Sequence, residues 1–335
     1  MKKRILNVAV IGLGVGKSHV DFYNKSKLCN LKIVCDFNKR KIINFKKKYK
    51  GILATYNSDD IFKDSSIDLV SIASYDTFHY EQILKCFKYK KNFFVEKPIC
   101  KSEKELIKIK KLYLQNNKKI KFSSNFVLRG NRNIIQIKKK LFNFKEEKIF
   151  YIEGDYNYGR IEKIIKGWRS KENNYSINLG GAIHIIDLFR WLSKTKIVEV
   201  SAVANKIITK KTNFKYNDFS TASIKFANNL IGRINANFGG VIPHNHQIKI
   251  FTNKRTFFYS FNKLLIFSSR KKEIQPKSFL KNSYDKEFVL NSFVSHLFYK
   301  KKLQVTPEDI FESMSIAFAI DKSIKSKKWI KVKYI

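Results

Sequence analysis

Cysteine is scarce in this chain of 335 residues, and the four that occur, Cys29, Cys35, Cys86 and Cys100, show no C-x-x-C spacing. Three of them lie in or beside apolar stretches, where buried free thiols are common, so neither a disulfide framework nor a zinc site is implied. Long apolar runs are missing too, since none approaches the ~20 residues that span a bilayer. The opening Met1-Lys2-Lys3-Arg4 runs into a seven-residue strand pattern rather than a signal-peptide core. The expectation is a soluble, cytoplasmic protein with no membrane association. Acids are outnumbered, with 27 Asp and Glu against 68 Lys and Arg and a formal charge of +41. Such an excess ordinarily points to nucleic acid or an anionic membrane. Here it is nearly all Lys, spread along the chain among abundant Ile, Asn, Phe and Tyr, a bias of A/T-rich codons. Arg, the residue suited to bidentate base and phosphate contacts, is scarce. Solvated lysine faces are expected, and specific nucleic-acid binding is not.

What is present begins at the front. Ile5 to Ile11 reads as a buried strand, Gly12-Leu13-Gly14-Val15-Gly16 as a glycine turn, and Leu31 to Asp36 as a second strand ending in an acid. The order suits a dinucleotide: glycines let backbone N–H groups approach the pyrophosphate, and an acid about 20 residues on accepts the ribose hydroxyls. The third glycine of the usual spacing falls at Lys17, with Gly16 one place early. An ordinary strand-to-helix turn is the alternative. A carboxylate at Asp36 favours NAD over NADP by repelling a 2′-phosphate, a preference that the neighbouring Lys39 and Arg40 weaken.

The first third of the chain alternates strands and helices, the pattern of a doubly wound parallel sheet. Helices are expected over Asn38 to Lys50 and Glu103 to Asn116, and strands over Ile52 to Tyr56, Ile67 to Ala73, Asn92 to Val95 and Ile120 to Ser124. A polar loop is expected from Ser74 to His79. Ligands of open α/β sheets sit beyond the carboxyl ends of strands, so Gly12 to Gly16, Asp36, Ala73 to His79 and Glu96-Lys97-Pro98 should converge.

These residues resemble the Gfo/Idh/MocA oxidoreductases, the family of glucose–fructose oxidoreductase and inositol dehydrogenase. The resemblance rests on the glycine turn followed by Ser18-His19, on Ile72-Ala73-Ser74 with His79 shortly after, and above all on Val95-Glu96-Lys97-Pro98-Ile99. It implies an NAD(P)-dependent dehydrogenase or reductase acting on a hydroxyl or keto carbon of a sugar, sugar nucleotide or cyclitol. Cofactor contacts are then expected from Gly12, Leu13, Gly14, Val15, Gly16, Asp36, Ala73, Ser74, His79, Glu96 and Lys97. Independently of the resemblance, an ammonium at a strand end beside a nicotinamide can shuttle a proton or polarise an oxygen. The alternative for Lys97 is one more surface lysine with Glu96 as its solvated partner.

Two domains are expected, residues 1–123 binding the dinucleotide and residues 124–335 forming an α+β domain with a large, mainly antiparallel sheet. The alternating runs are Ile149 to Tyr158, Val198 to Ile208, Ser220 to Phe226, Leu230 to Phe238, Gln247 to Phe251 and Thr256 to Ser260. The resemblance implies that one face of this sheet makes a homodimer or homotetramer. The chemically dense stretch is Gly167-Trp168-Arg169 followed by Asn178 to Trp191. His184 and Asp187, three residues apart, share a helical face, so His184 can act as general base with Asp187 orienting or charging its ring. Many members of the family carry an Asp four positions before this His, where this chain has Gly180. That departure leaves Lys97 and His184 as the surviving pair, with Asp187 of lower weight. Arg169 and Arg129 can clamp a phosphate or carboxylate and Trp168 can stack on a sugar face; a structural ion pair and a core indole are the alternatives. His244 and His246, in a loop with Pro243, lack the spacing of a metal site, and no metal is expected. Thr306-Pro307-Glu308-Asp309 is a helix start with a cap, a proline at the first position and acids against the dipole. A protein that binds NAD(H) without turnover is the competing functional reading.

Overall fold

The computed structural model describes residues 5–143, 146–271, 275, 277–279 and 285–335, so the basic stretch from Met1 to Arg4 lies outside the described residues. The chain divides into two compact units, residues 1–126 with 287–310 and residues 127–286 with 311–335. The first crossing between them follows Phe126, and residues 287–310, expected in the second domain, belong to the first unit. The return of residues 287–310 to the first unit has no counterpart in the sequence reading.

In the first unit, strands and helices alternate as β1 (Leu6–Ile11), α1 (Gly16–Lys25), β2 (Cys29–Cys35), α2 (Lys39–Lys48), β3 (Leu53–Thr55), α3 (Asp59–Lys63), β4 (Leu69–Ile72), α4 (Asp76–Lys88), β5 (Asn92–Val95), α5 (Glu103–Gln115) and β6 (Phe122–Ser124). The six strands pair in parallel in the order β3-β2-β1-β4-β5-β6, the doubly wound order of a dinucleotide-binding sheet. Its central strands read as unbroken apolar runs because both faces are covered, and Val8, Ala9, Val10, Leu69, Val70, Phe93 and Phe94 are fully buried. Each large side chain so buried contributes about 1.5–3 kcal/mol. Phe93 on β5 stacks on Phe122 of β6 with ring centroids 4.8 Å apart. α5 opens on a capping box, Ser102 accepting from the Glu105 N–H while the Glu105 carboxylate accepts from the Ser102 N–H. The expected loop from Ser74 to His79 is shorter than its polarity suggests. α4 begins at Asp76, whose charge suits the helix dipole, so His79 sits in the first turn and is buried.

The second unit holds α6 (Arg132–Phe142), β7 (Ile149–Asn157), α7 (Glu162–Ile165), α8 (Ile183–Ser193), β8 (Ile197–Asn205), β9 (Phe219–Phe226), β10 (Ile231–Asn237), β11 (Asn245–Thr252), β12 (Thr256–Ser260), β13 (Lys263–Phe267) and β14 (Lys277–Phe279). The chain then supplies α9 (Phe288–Tyr299) to the first unit, and α10 (Pro307–Ser326) carries it back to the second, where β15 (Ile330–Lys331) ends it. Nine strands form one sheet, β14-β13-β12-β11-β7-β10-β9-β8-β15. It is mainly antiparallel, as expected, with a parallel pair where β10 runs beside β7. The alternating burial of β9 and β10 gives the sheet an apolar inner face. α8 lies on that face, its Ile185 and Phe189 packed where Gly154 offers no side chain. Among the described residues no helix is long and apolar enough to cross a membrane.

Candidate active site

The glycine turn is built by close backbone approach. Gly12 has φ +93°, and a Cβ there would overlap the Ala73 carbonyl oxygen and lie 2.6 Å from its carbon, so only glycine fits. Its N–H donates to the Cys35 carbonyl at 2.7 Å, and the Ala73 N–H donates to the Ile11 carbonyl at 2.8 Å, which ties the ends of β1, β2 and β4 together. Gly16 opens α1 against Ala73, with 3.0 Å from a Cβ built on it to that of Ala73. α1 has no acid in its first turn, so the positive end of its dipole is open to an anion.

Asp36 ends β2 beside this turn and is buried. One carboxylate oxygen accepts from the Leu13 N–H at 2.7 Å and from Lys41 Nζ at 3.1 Å, and the other accepts from the Asn38 N–H at 2.8 Å. Gly12, Leu13, Gly14, Val15, Gly16, Asp36 and Ala73 thus form one cradle, and its donors, glycines and acid fit a dinucleotide. Lys41 is the partner the sequence reading missed: it is one lysine among many in a lysine-rich helix, and only the first turn of α2 aims it at Asp36.

The Glu96-Lys97-Pro98 stretch leaves the carboxyl end of β5. Glu96 Oε1 lies 3.1 Å from His19 Nε2 and accepts from Asn125 Nδ2 at 2.6 Å, while His19 Nδ1 lies 2.9 Å from Ser71 Oγ. Burial alone would raise the Glu96 carboxyl. The hydrogen bonds and charge of His19, the Asn125 amide and the Lys97 ammonium outweigh it and hold the group below its ordinary value. Glu96 is therefore a fixed anion rather than the solvated partner of a surface lysine. Lys97 is half-buried beside it. His79 Nδ1 lies 2.7 Å from the Pro98 carbonyl and Nε2 3.2 Å from the Ser74 carbonyl, bridging two strand-end segments, and the Ser74 hydroxyl donates to Gln82 Oε1 at 2.7 Å. His19 and Asn125 are further members of the site with no assigned role in the sequence reading, although Ser18-His19 is part of the motif.

In the second unit His184 lies in the first turn of α8, buried, with the Tyr156 ring stacked at 6.1 Å and the His246 ring edge-on at 6.0 Å. His246 belongs to β11 rather than a loop and pairs with Tyr156 across the β7–β11 ladder. His244 is 5.1 Å from His246, ring to ring. The sequence reading missed this group because cross-strand register, not spacing, assembles it. Among the described residues no three His, Cys, Asp or Glu are arranged to hold a metal ion.

Asp187 is engaged elsewhere. Its two oxygens accept from Arg129 Nε at 2.8 Å and Nη2 at 2.6 Å, with both side chains almost wholly buried and the guanidinium carbon 5.5 Å from the Trp191 ring. The two residues expected to serve proton transfer and substrate binding are thus brought together as an ion pair. Arg169 donates through Nε to the Tyr175 hydroxyl at 3.1 Å and through Nη1 to the Tyr158 hydroxyl at 3.3 Å, and lies 4.5 Å from the Trp168 ring.

Comparison with known proteins agrees with the fold. Residues 6–124 match the model of the oxidoreductase family with an NAD-binding Rossmann fold, and residues 147–258 match that of the GFO/IDH/MocA C-terminal domain. The myo-inositol 2-dehydrogenase of Thermotoga maritima is 21% identical over 98% of this chain and 99% of its own. Among solved structures, levoglucosan dehydrogenase in complex with NADH and L-sorbose superposes with a TM-score of 0.88 at 19% identity, covering 99% of this chain and 100% of that one. The scyllo-inositol dehydrogenase of Lactobacillus casei, with bound NAD(H) and scyllo-inositol, gives 0.78 at 18% identity over 98% and 99%. With the doubly wound sheet, its glycine cradle and the large C-terminal sheet all accounted for by two matching models, the chain belongs to the GFO/IDH/MocA family of NAD-binding oxidoreductases.

Proposed function

We propose that this protein transfers a hydride between a nicotinamide cofactor and a carbon bearing a hydroxyl or keto group in a sugar, sugar nucleotide or cyclitol. The observation that carries the reading is Lys97, half-buried at the carboxyl end of β5 beside the Glu96–His19–Asn125 network, on the same edge of the parallel sheet as the glycine cradle after β1. The cradle would hold the cofactor: the turn from Gly14 to Gly16 and the start of α1 would receive the pyrophosphate, while the Gly12 and Leu13 N–H groups tie the turn to Cys35 and Asp36, and Asp36 would face the adenosine ribose. When bound, NAD supplies the hydride acceptor or donor at its nicotinamide ring. Lys97 polarises the reacting oxygen. His184 Nε2 or Nδ1 takes the hydroxyl proton as the carbonyl forms and returns it in reduction. Arg129 and Asp187 serve as a structural pair, and His79 holds Ser74 and Pro98 in place, which leaves Arg169 and Trp168 as the substrate-facing candidates.

The names of the relatives, inositol and levoglucosan dehydrogenases, support a polyol substrate, and the cationic field of the chain would also draw a sugar nucleotide. The face of the nine-stranded sheet turned from α8 carries exposed Val203 and Ile231 and a Glu153–Arg233–Lys249 ion cluster, which supports self-association through this sheet. A cofactor-binding regulator is the second reading, favoured by the lack of a carboxylate at Gly180.

The test is nicotinamide absorbance on adding myo-inositol, scyllo-inositol, levoglucosan and a nucleoside-diphosphate sugar to protein and NAD, with Lys97→Ala alongside. Turnover by the wild type, lost in Lys97→Ala with NADH affinity retained, is the expected result. Tight NADH binding with no turnover of any compound would favour the regulator. A variant as fast as wild type would remove Lys97 from the mechanism.

A further inference from the structure

Gly180 and Gly181 look like a flexible entrance to α8, yet the structure uses them as seats. A Cβ built on Gly180 would fall inside the Tyr175 hydroxyl and lie 2.7 Å from its Cζ, and one on Gly181 would lie 2.6 Å from Tyr156 Cδ1. Two tyrosine rings therefore occupy the space that side chains at these positions would take. The turn beneath them is fixed rather than loose: Asn178 donates to Asp321 Oδ1 at 2.7 Å and accepts from the Ser220 hydroxyl at 2.9 Å. Tyr175 is buried, and its hydroxyl is aimed by Arg169 Nε at 3.1 Å. Gly180 and Gly181 lie in a π-helical turn, Asn178–Ala182, that runs directly into α8, and Tyr156, which fills the place at Gly181, also stacks against the His184 ring, so the two seats adjoin His184.

We propose that the Tyr175 hydroxyl, seated over Gly180 and oriented by Arg169, is a substrate-binding group that holds a hydroxyl of the polyol beside His184. A phenol both donates and accepts, whereas a carboxylate in that place would only accept and would add a negative charge. The site thus recognises a hydroxyl in either hydrogen-bonding sense and does not repel an anionic substituent nearby. This rests on the hydride-transfer reading above, with His184 in the proton step.

Tyr175→Phe removes one oxygen and keeps the ring. With a polyol that the wild type oxidises, the variant should lose roughly 10–100-fold in kcat/KM, mainly through KM, the loss expected for one hydrogen bond in a desolvated site. NADH affinity should not change. Kinetic constants equal to wild type would overturn the inference and leave the dehydrogenase reading standing. If the wild type neither oxidises nor binds any of the polyols named above in its NADH complex, both fall together. The seating is read separately by thermal unfolding: Gly180→Ala should destabilise the wild type clearly and far less in a Tyr175→Val background. Equal losses in both backgrounds would show that the phenol does not occupy that place and would also overturn the inference.

Discussion

Replacing Asp187 by Asn tests whether this acid belongs to the scaffold or to the chemistry. Arg129 and Asp187 meet through two parallel hydrogen bonds of 2.8 and 2.6 Å, and their side chains are only 2% and 1% exposed. An Asn is nearly the same size but carries no charge and offers one acceptor oxygen in place of two, so the buried guanidinium loses the anion that offsets its desolvation. Breaking a buried pair from one side costs about 3–5 kcal/mol. With a urea dependence of about 2–3 kcal/mol/M, the unfolding midpoint of the second unit should fall by roughly 1–2 M. Trp191, beside the guanidinium, makes tryptophan fluorescence a fitting probe of this transition. Removing both charges, in Arg129→Met with Asp187→Leu, should restore most of the loss, because a buried ion pair is often no better than apolar residues of similar volume. A single variant with an unchanged midpoint but abolished turnover would refute the structural assignment and return Asp187 to the proton relay.

Glu96 gives a pH prediction. Its carboxyl is held below the ordinary value, so its network contributes in full above about pH 4.5 and is lost as pH falls through the lower folded value. Glu96→Gln should lower stability at neutral pH by about 1–3 kcal/mol and flatten the acid limb of urea midpoint against pH; an acid limb as steep as wild type would count against the network. Lys41 gives a cofactor prediction. Its ammonium lies 3.1 Å from Asp36 and offsets the charge that would repel a 2′-phosphate, so Lys41→Ala should weaken NADPH relative to NADH by about tenfold in fluorescence titrations. An unchanged ratio would remove Lys41 from cofactor selection.

The parts of the fold legible in the sequence are those where one local pattern admits one structure. Val8 to Ile11 must be a covered strand, and the glycines and Asp36 that follow fix the kind of turn. Long alternating runs such as Ile149 to Asn157 give the second sheet in the same way. Lys277–Phe279 and Ile330–Lys331 are short edge strands and Lys263–Phe267 lies next to one edge; their sequences alternate little, and they take their place from the ladders beside them. The site divides along the same line. Glu96-Lys97-Pro98 and His184 announce themselves, but nothing local tells that Asp36 will choose Lys41 over Lys39 or Arg40. Nor does spacing reveal that Arg129 will take Asp187, 58 residues away, or that a phenol will stand over Gly180.

The excursion of residues 287–310 into the first unit bears on how the protein is made. Phe293 of α9 packs 5.9 Å from Phe94, and the Ser123 hydroxyl donates to the Val305 carbonyl at 2.8 Å. During synthesis the strands of the nucleotide-binding sheet are complete by residue 124, yet Phe94 and Ser123 meet their partners in residues 287–310 only after the strands of the second sheet from β7 to β14 have been made. A gene fragment stopped at residue 126 therefore encodes every glycine of the cradle but not the helix that packs on Phe94, and it should unfold more readily than the same fragment with residues 287–310 appended.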